Sequence, residues 1–276
     1  MADSIWLYNP SLALSILFTV LYTIPTTIQL YQTTVKYKAH YFLVVSIGCC
    51  LELGGYVARC VSIHHPSEIP PYATQSSLII IAPIFFAAGN YLLITRLCPP
   101  SLPRIFRIPI RNLTRIFVSC DVVLFLIQAS GSGIAASGNW EGRITMVGKD
   151  VLIVGLASQL VTFVFFVGIV VRVHSLAKGK EGEGGMGWKR VLWAVYGSSG
   201  LIIIRSTYRL IEFALGIRGY PFTHDWTFCV FESVPMLGAV GVFCVWHPGA
   251  YFGPGKKRGF RDGGEIQMDG RTSPVV

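Results

Sequence analysis

Seven ionisable side chains fall inside long apolar stretches of this chain: Glu52, Arg59, Asp121, Arg205, Arg209, Glu212 and Glu232. On insertion scales a charge deep in hydrocarbon costs about 2.5–3.5 kcal/mol, so each of these residues needs a partner or a task. Their spacing narrows the chemistry. Glu52, Tyr56 and Arg59 stand at i, i+4 and i+7, on one face of a helix. Arg205, Arg209 and Glu212 repeat that spacing with the acid at the opposite end, and Arg209 and Glu212 can pair within the helix. Asp121 and Gln128 are also seven apart, while Asn90, Gln159 and Glu232 each add a polar group to a different stretch. Four acids face three bases, so the set is nearly neutral if its members pair. Such groups either hold helices together by hydrogen bonding or line a path for a polar headgroup. An unpaired Glu52 or Glu232 would suit an amine, and Arg205 a phosphorylated headgroup. Arg205 and Glu232 have no partner in their own helices, which weights them toward function. Asn90 and Gln159 lean toward structure.

These residues must be positioned by membrane-spanning helices. The chain has 276 residues, 52% hydrophobic and only 13% charged, against about 25% charged in a soluble domain. Apolar runs of spanning length occur at 11–30, 40–61, 73–95, 116–136, 151–173, 191–214 and 226–246. The expected fold is therefore all-α, a polytopic bundle of seven transmembrane helices. The first run lacks a basic n-region and is too long for the apolar part of a cleaved signal peptide, so it stays as a span.

The formal net charge of +9 sits in short blocks between apolar runs. Nucleic-acid binding, which needs a basic surface, is excluded on that ground. The blocks instead give orientation. Of the 23 Lys and Arg residues, 17 fall in the loops and tail of one side and 3 in those of the other. The positive-inside rule then puts the N-terminus outside and the C-terminus in the cytosol. The Asn112-Leu113-Thr114 acceptor is cytosolic in that topology and Asn9-Pro10-Ser11 is blocked by its proline, so no N-glycan is expected.

The domain plan is an extracellular N-tail at 1–10, a membrane domain at 11–250 and a basic, disordered cytosolic tail at 251–276. Lys256-Lys257-Arg258 would meet anionic inner-leaflet lipid. Pro25, Pro83 and Pro235 fall inside spans and should kink them. Small-residue patches such as Gly54-Gly55, Ala87-Ala88-Gly89, Ser130-Gly131-Ser132-Gly133 and Gly197-Ser198-Ser199-Gly200 read as close helix contacts. The seven cysteines lie in or beside apolar runs and read as small buried hydrophobes, with Cys60 and Cys229 the one pair close to a common face. Along the oriented spans most of the polar groups fall in the outer half, Asp121 and Asn90 nearer the cytosol. This describes a cavity opening outward with an inner polar station.

Several classes are excluded. The last span has no lysine to form a retinal Schiff base. His40, His64, His65, His174, His224 and His247 lie in loops or at span ends, so no intramembrane zinc site is expected. No nucleophile elbow, phosphate loop or Cys-x-x-Cys is present. The chain reads as a non-enzyme without metal or cofactor. Its layout is that of a G-protein-coupled receptor, but the Asp-Arg-Tyr and Asn-Pro-x-x-Tyr motifs are missing.

The polar residues with their neighbours resemble the fungal lipid-translocating exporters, also called the RTA-like (resistance to aminocholesterol) family. The matching pieces are Glu52-Leu53-Gly54-Gly55-Tyr56-Val57-Ala58-Arg59, Ala82-Pro83 with Ala87-Ala88 and Tyr91, Asp121-Val122-Val123 with Gln128 and Gly131, Gly155-Leu156 with Gln159, Arg205 with Tyr208-Arg209-Leu210-Ile211-Glu212, Phe231-Glu232 with Pro235-Met236, and His247-Pro248-Gly249. The resemblance implies a multi-pass protein of the plasma membrane, or of the vacuolar or another endomembrane. Its implied task is export or transbilayer movement of sphingoid long-chain bases, or resistance to toxic amphiphiles. The expected translocation path is Glu52, Tyr56, Arg59, Asp121, Gln128, Gln159, Arg205, Arg209, Glu212 and Glu232. With no nucleotide site, movement would be downhill or coupled to another gradient. The alternative is a seven-span sensor for an amphipathic ligand; oligomeric state is not legible.

Overall fold

The computed structural model describes residues 10–98, 104–105, 108–137, 142–178, 186–216 and 219–252. The helices are α1 (Leu12–Tyr31), α2 (Leu43–His64), α3 (Ile69–Leu97), α4 (Ile110–Ser137), α5 (Gly142–Lys178), α6 (Met186–Leu215), α7 (Tyr220–Thr223), α8 (Asp225–Phe228), α9 (Val234–Val245) and α10 (Gly249–Phe252). A π-helical turn, Cys229–Ser233, joins α8 to α9 without a break in the helical path, and another, Gln32–Lys36, extends α1. The strands β1 (Arg104–Ile105) and β2 (Ile108–Pro109) form a two-residue antiparallel ladder before α4. The proposed terminal tails lie almost wholly outside the described residues.

Local sequence explains the helix starts. Ser11 caps α1, its side chain accepting from the Leu14 amide. Pro70 and Pro71 open α3, where missing N–H groups cost nothing and a fixed φ helps. The helices run beyond the apolar limits read from the sequence: 151–173 becomes Gly142–Lys178 and 116–136 becomes Ile110–Ser137. Backbone hydrogen bonding continues through polar turns that hydropathy assigns to loops. Arg115, Lys149, Arg172 and Arg190, read as loop charges, therefore sit on helix ends.

Among the described residues, six helical segments are long and apolar enough to cross a membrane: Leu12–Lys36, His40–His64, Ile69–Leu97, Asn112–Ala135, Ile144–Leu176 and Asp225–Tyr251. The exception among the long helices is α6, which carries Arg205, Arg209 and Glu212. Its 30 residues would run about 45 Å at about 1.5 Å per residue. The chain is an integral, multi-pass membrane protein. Its surface supports this, for Val161, Trp193, Val154 and Phe165 are 68%, 64%, 62% and 59% exposed, while Glu52, Asp121, Arg205 and Glu232 are 5% exposed or less. That inversion of the soluble pattern suits a hydrocarbon solvent.

Packing is strongest between α2 and α3 and between α4 and α5. A Cβ on Gly131 would meet the Gly148 carbonyl and the Leu152 amide nitrogen at 2.8 Å, and one on Gly148 would meet the Ala135 amide nitrogen at 2.5 Å. Only glycine admits that approach of α4 and α5 backbones. α3 touches α2, α4 and α6, and α9 packs on α6 and α1. Polar faces of α2, α4 and α6 thus converge beside α3.

Candidate functional site

The site begins with a proline. Pro83 has no N–H, so the Ile79 carbonyl one turn earlier in α3 lacks its helical donor. Arg205 of α6 fills the gap, donating from Nη2 to the Ile79 carbonyl at 2.8 Å. The same Nη2 donates to Glu232 Oε1 at 2.9 Å. One turn along α6, Arg209 Nη1 donates to Glu212 Oε2 at 2.8 Å and forms an ion pair with Glu232 Oε2 at 3.3 Å. Glu232 thus bridges two guanidiniums on successive turns, and two cations are matched by two anions. As the sequence indicated, neither Arg205 nor Glu232 has its partner on its own helix, but Glu232 is not the unpaired acid that the sequence offered for an amine. The Arg209–Glu212 pair forms as their spacing predicts.

The π-helical turn places Glu232 and Ser233 inward together, and such turns widen a helix locally at the cost of regular bonding. Ser233 is fixed twice, its carbonyl accepting from Tyr22 Oη at 2.7 Å and its hydroxyl from Tyr56. The Tyr22 and Tyr56 rings stack with centroids 4.9 Å apart. Glu52 lies beside them, 1% exposed, with neither carboxyl oxygen hydrogen-bonded. Burying a carboxyl without donors is costly.

Arg59 sits elsewhere. At the end of the bundle where α1 begins, its Nη2 donates to Asp225 Oδ1 at 2.6 Å, and its guanidinium lies 4.5 Å from the Phe228 ring centroid. The Ser11 amide donates to Asp225 Oδ2 at 2.9 Å. This clasp ties α1, α2 and α8.

A second polar group faces the arginines. Asp121 Oδ2 accepts from Tyr91 Oη at 2.8 Å, and Gln128 Nε2 donates to Gln159 Oε1 at 2.8 Å, bridging α4 and α5. Between these groups and α6 lies a narrow cleft. Asp121, Gln128, Gln159, Arg205 and Arg209 supply its polar lining, and Ile80, Leu156, Phe163 and Ile202 its apolar walls. The inner station expected at Asp121 and the arginine layer are therefore one cleft. Glu232 and Glu212 hold its arginines, whereas Glu52, Tyr56 and Arg59 are not among its lining residues. Asn90 accepts from Ser198 at 2.8 Å and ties α3 to α6.

His247 packs its ring on Tyr37 at 5.1 Å, shares a 3.1 Å hydrogen bond with Thr33 Oγ1 and accepts from the Gly249 amide at 3.0 Å. It holds the other end of the bundle. All seven cysteines are free, and the paired reading of Cys60 and Cys229 does not hold. Residues missed in the sequence are Tyr22, Asp225 and Ser233, and Tyr91, noted there only as part of the family resemblance, was left off the expected path. The usable signals were Pro83, which orphans a carbonyl that a buried arginine can take, and Asp225, at the start of the last apolar run.

Residues 45–254 match the family described as RTA1-like protein. The chain belongs to that family. Among its relatives in Saccharomyces cerevisiae, Protein RTM1 is 36% identical over 232 residues, covering 80% of this chain and 71% of the relative. Protoporphyrin uptake protein 1 is 30% identical over 284 residues, covering 89% and 91%. Sphingoid long-chain base transporter RSB1 is 25% identical over 281 residues, covering 88% and 73%. No solved structure matches this RTA1-like chain.

Proposed function

We propose that this protein moves lipids or other amphiphiles, such as sphingoid long-chain bases or toxic amphipathic compounds, across or out of a membrane without ATP. The observation that carries the reading is the cleft among α3, α4, α5 and α6, with two arginines, an aspartate and two glutamines set between apolar walls. Polar lining suits a headgroup, and apolar walls suit the start of an acyl chain. The names of two relatives, one for protoporphyrin uptake and one for sphingoid-base transport, agree with cargo that is charged at one end and apolar at the other. In this reading seven helices span the membrane, α6 included, since its charges face the bundle. The N-terminus is outside, the membrane is the plasma membrane, and the basic cluster at 256–258 meets anionic inner-leaflet lipid. No residue is assigned a catalytic role.

The test is protection of cells from a toxic sphingoid base by wild-type protein and by a variant combining Glu232→Gln with Arg205→Ala. Loss of protection at unchanged protein level is the expected result. Protection surviving both changes would reduce the arginine layer to interhelical glue.

A further inference from the structure

Charge matching inside the bundle leaves the cleft with one unpaired acid. Arg205 and Arg209 are taken by Glu232 and Glu212. Asp121 lines the cleft, is 1% exposed, and holds only Tyr91; its Oδ1 has no hydrogen-bond partner. Aromatic rings surround its partner Tyr91. Tyr91 lies 4.5 Å from Phe166, 5.3 Å from Phe117 and 6.1 Å from Phe163, centroid to centroid, and Phe163 itself lines the cleft. A carboxylate with an unpartnered oxygen in a low-dielectric cleft, with an aromatic ring elsewhere on the cleft wall, is chemistry that can hold an alkylammonium.

We propose that Asp121 Oδ1, in the cleft that Phe163 also lines, is a seat that an amphiphilic ammonium and a proton occupy in turn. The step balances. The protonated carboxyl releases its proton to water in the cleft as the ammonium arrives, and the site's charge rises by nothing, one positive charge entering as one leaves. The exchange would let a proton gradient drive cation movement, with no need for a nucleotide. It rests on the translocator reading above and narrows it to cationic cargo at Asp121. Glu232, which sequence alone offered as the amine's partner, is held by two arginines, and Glu52 is not part of the cleft lining.

The groups that could alter this titration are few among the described residues. Tyr91 of α3 donates to Asp121, Cys120 precedes it on α4, and Arg205 and Arg209 face it from α6. From α5 come Gln159 and Phe163, neither of which titrates. Glu52, behind the arginine layer, is the rival proton carrier.

The experiment uses full-length protein in lipid nanodiscs, with empty nanodiscs as blank. The probe is radiolabelled dodecyltrimethylammonium, whose fixed charge cannot itself titrate. Across the pH range in which Asp121 is protonated, one-proton competition predicts that Kd tightens about tenfold per pH unit, levelling off above it. Asp121→Asn keeps an acceptor for Tyr91 and is expected to weaken binding at least about tenfold and leave it independent of pH. The proposal is overturned by a wild-type Kd constant from about pH 5 to 8, by a slope that survives Asp121→Asn, or by a slope abolished in Glu52→Gln. Dodecylphosphate is the second probe. If it binds and the ammonium does not, the cation seat fails and the translocator reading stands. If neither binds, both fail.

Discussion

Glu232 is the residue on which most of the buried charge depends. Replacing it by alanine leaves Arg205 with a carbonyl but no acid, and breaking a buried ion pair from one side costs about 3–5 kcal/mol. Replacing Arg205 by methionine is milder, because Glu232 keeps Arg209 at 3.3 Å. Thermal unfolding of purified protein should therefore show a markedly larger loss for Glu232→Ala than for Arg205→Met, and equal losses would contradict the bridge. At the other site, Arg59 and Asp225 should be energetically coupled. A double-mutant cycle on Arg59→Ala and Asp225→Ala is expected to give an interaction of about 0.5–3 kcal/mol, and strict additivity would remove the clasp. The inward-facing residues were legible from the sequence, since a charge in an apolar run must face something polar. Their partners were not. A helical wheel shows neighbours on one helix, and Glu232 with Arg205, Arg59 with Asp225 and Asp121 with Tyr91 all meet between helices.

Among the elements, the α4–α5 contact carries half of the cleft. Gly131→Ala places a methyl group 2.8 Å from the α5 backbone, so the helices must part. Overpacking of that kind costs typically about 1–3 kcal/mol, and here it also stretches the Gln128–Gln159 bond. A lowered unfolding temperature with weakened amphiphile binding is expected; an unchanged protein would mean that the two helices slide freely. The patch at Gly131 was legible as such a contact, whereas in the patch at 197–200 a Cβ on Gly200 would meet nothing within 4 Å and one on Gly197 only Val242 at 3.8 Å. The π-helical turn at Cys229–Ser233 is not legible in the same way, because Pro235 signals only a kink. The widened turn that brings both Glu232 and Ser233 inward comes from packing against Tyr22, Tyr56 and the α6 arginines.

For the molecule as a whole, hydropathy marked all seven helical paths, and it misplaced their ends because helices continue through polar turns. The sided distribution of Lys and Arg predicts orientation, and glycan mapping tests it. The native acceptor at Asn112 should remain unmodified, whereas an acceptor introduced between α2 and α3 should gain an endoglycosidase-sensitive mass. The reverse pattern would invert the topology. The sequence suggested a polar cavity but not which residues line it, because that needs four helices in register. The central claim is that this cleft passes an amphiphile between leaflets, and the most direct measurement is leaflet exchange of a fluorescent sphingoid base in proteoliposomes of the purified chain. Exchange faster than in empty vesicles, and slowed by Glu232→Gln with Arg205→Ala, is predicted. Exchange at the empty-vesicle rate by folded protein that still binds the lipid would contradict the account and leave a sensor in place of a translocator.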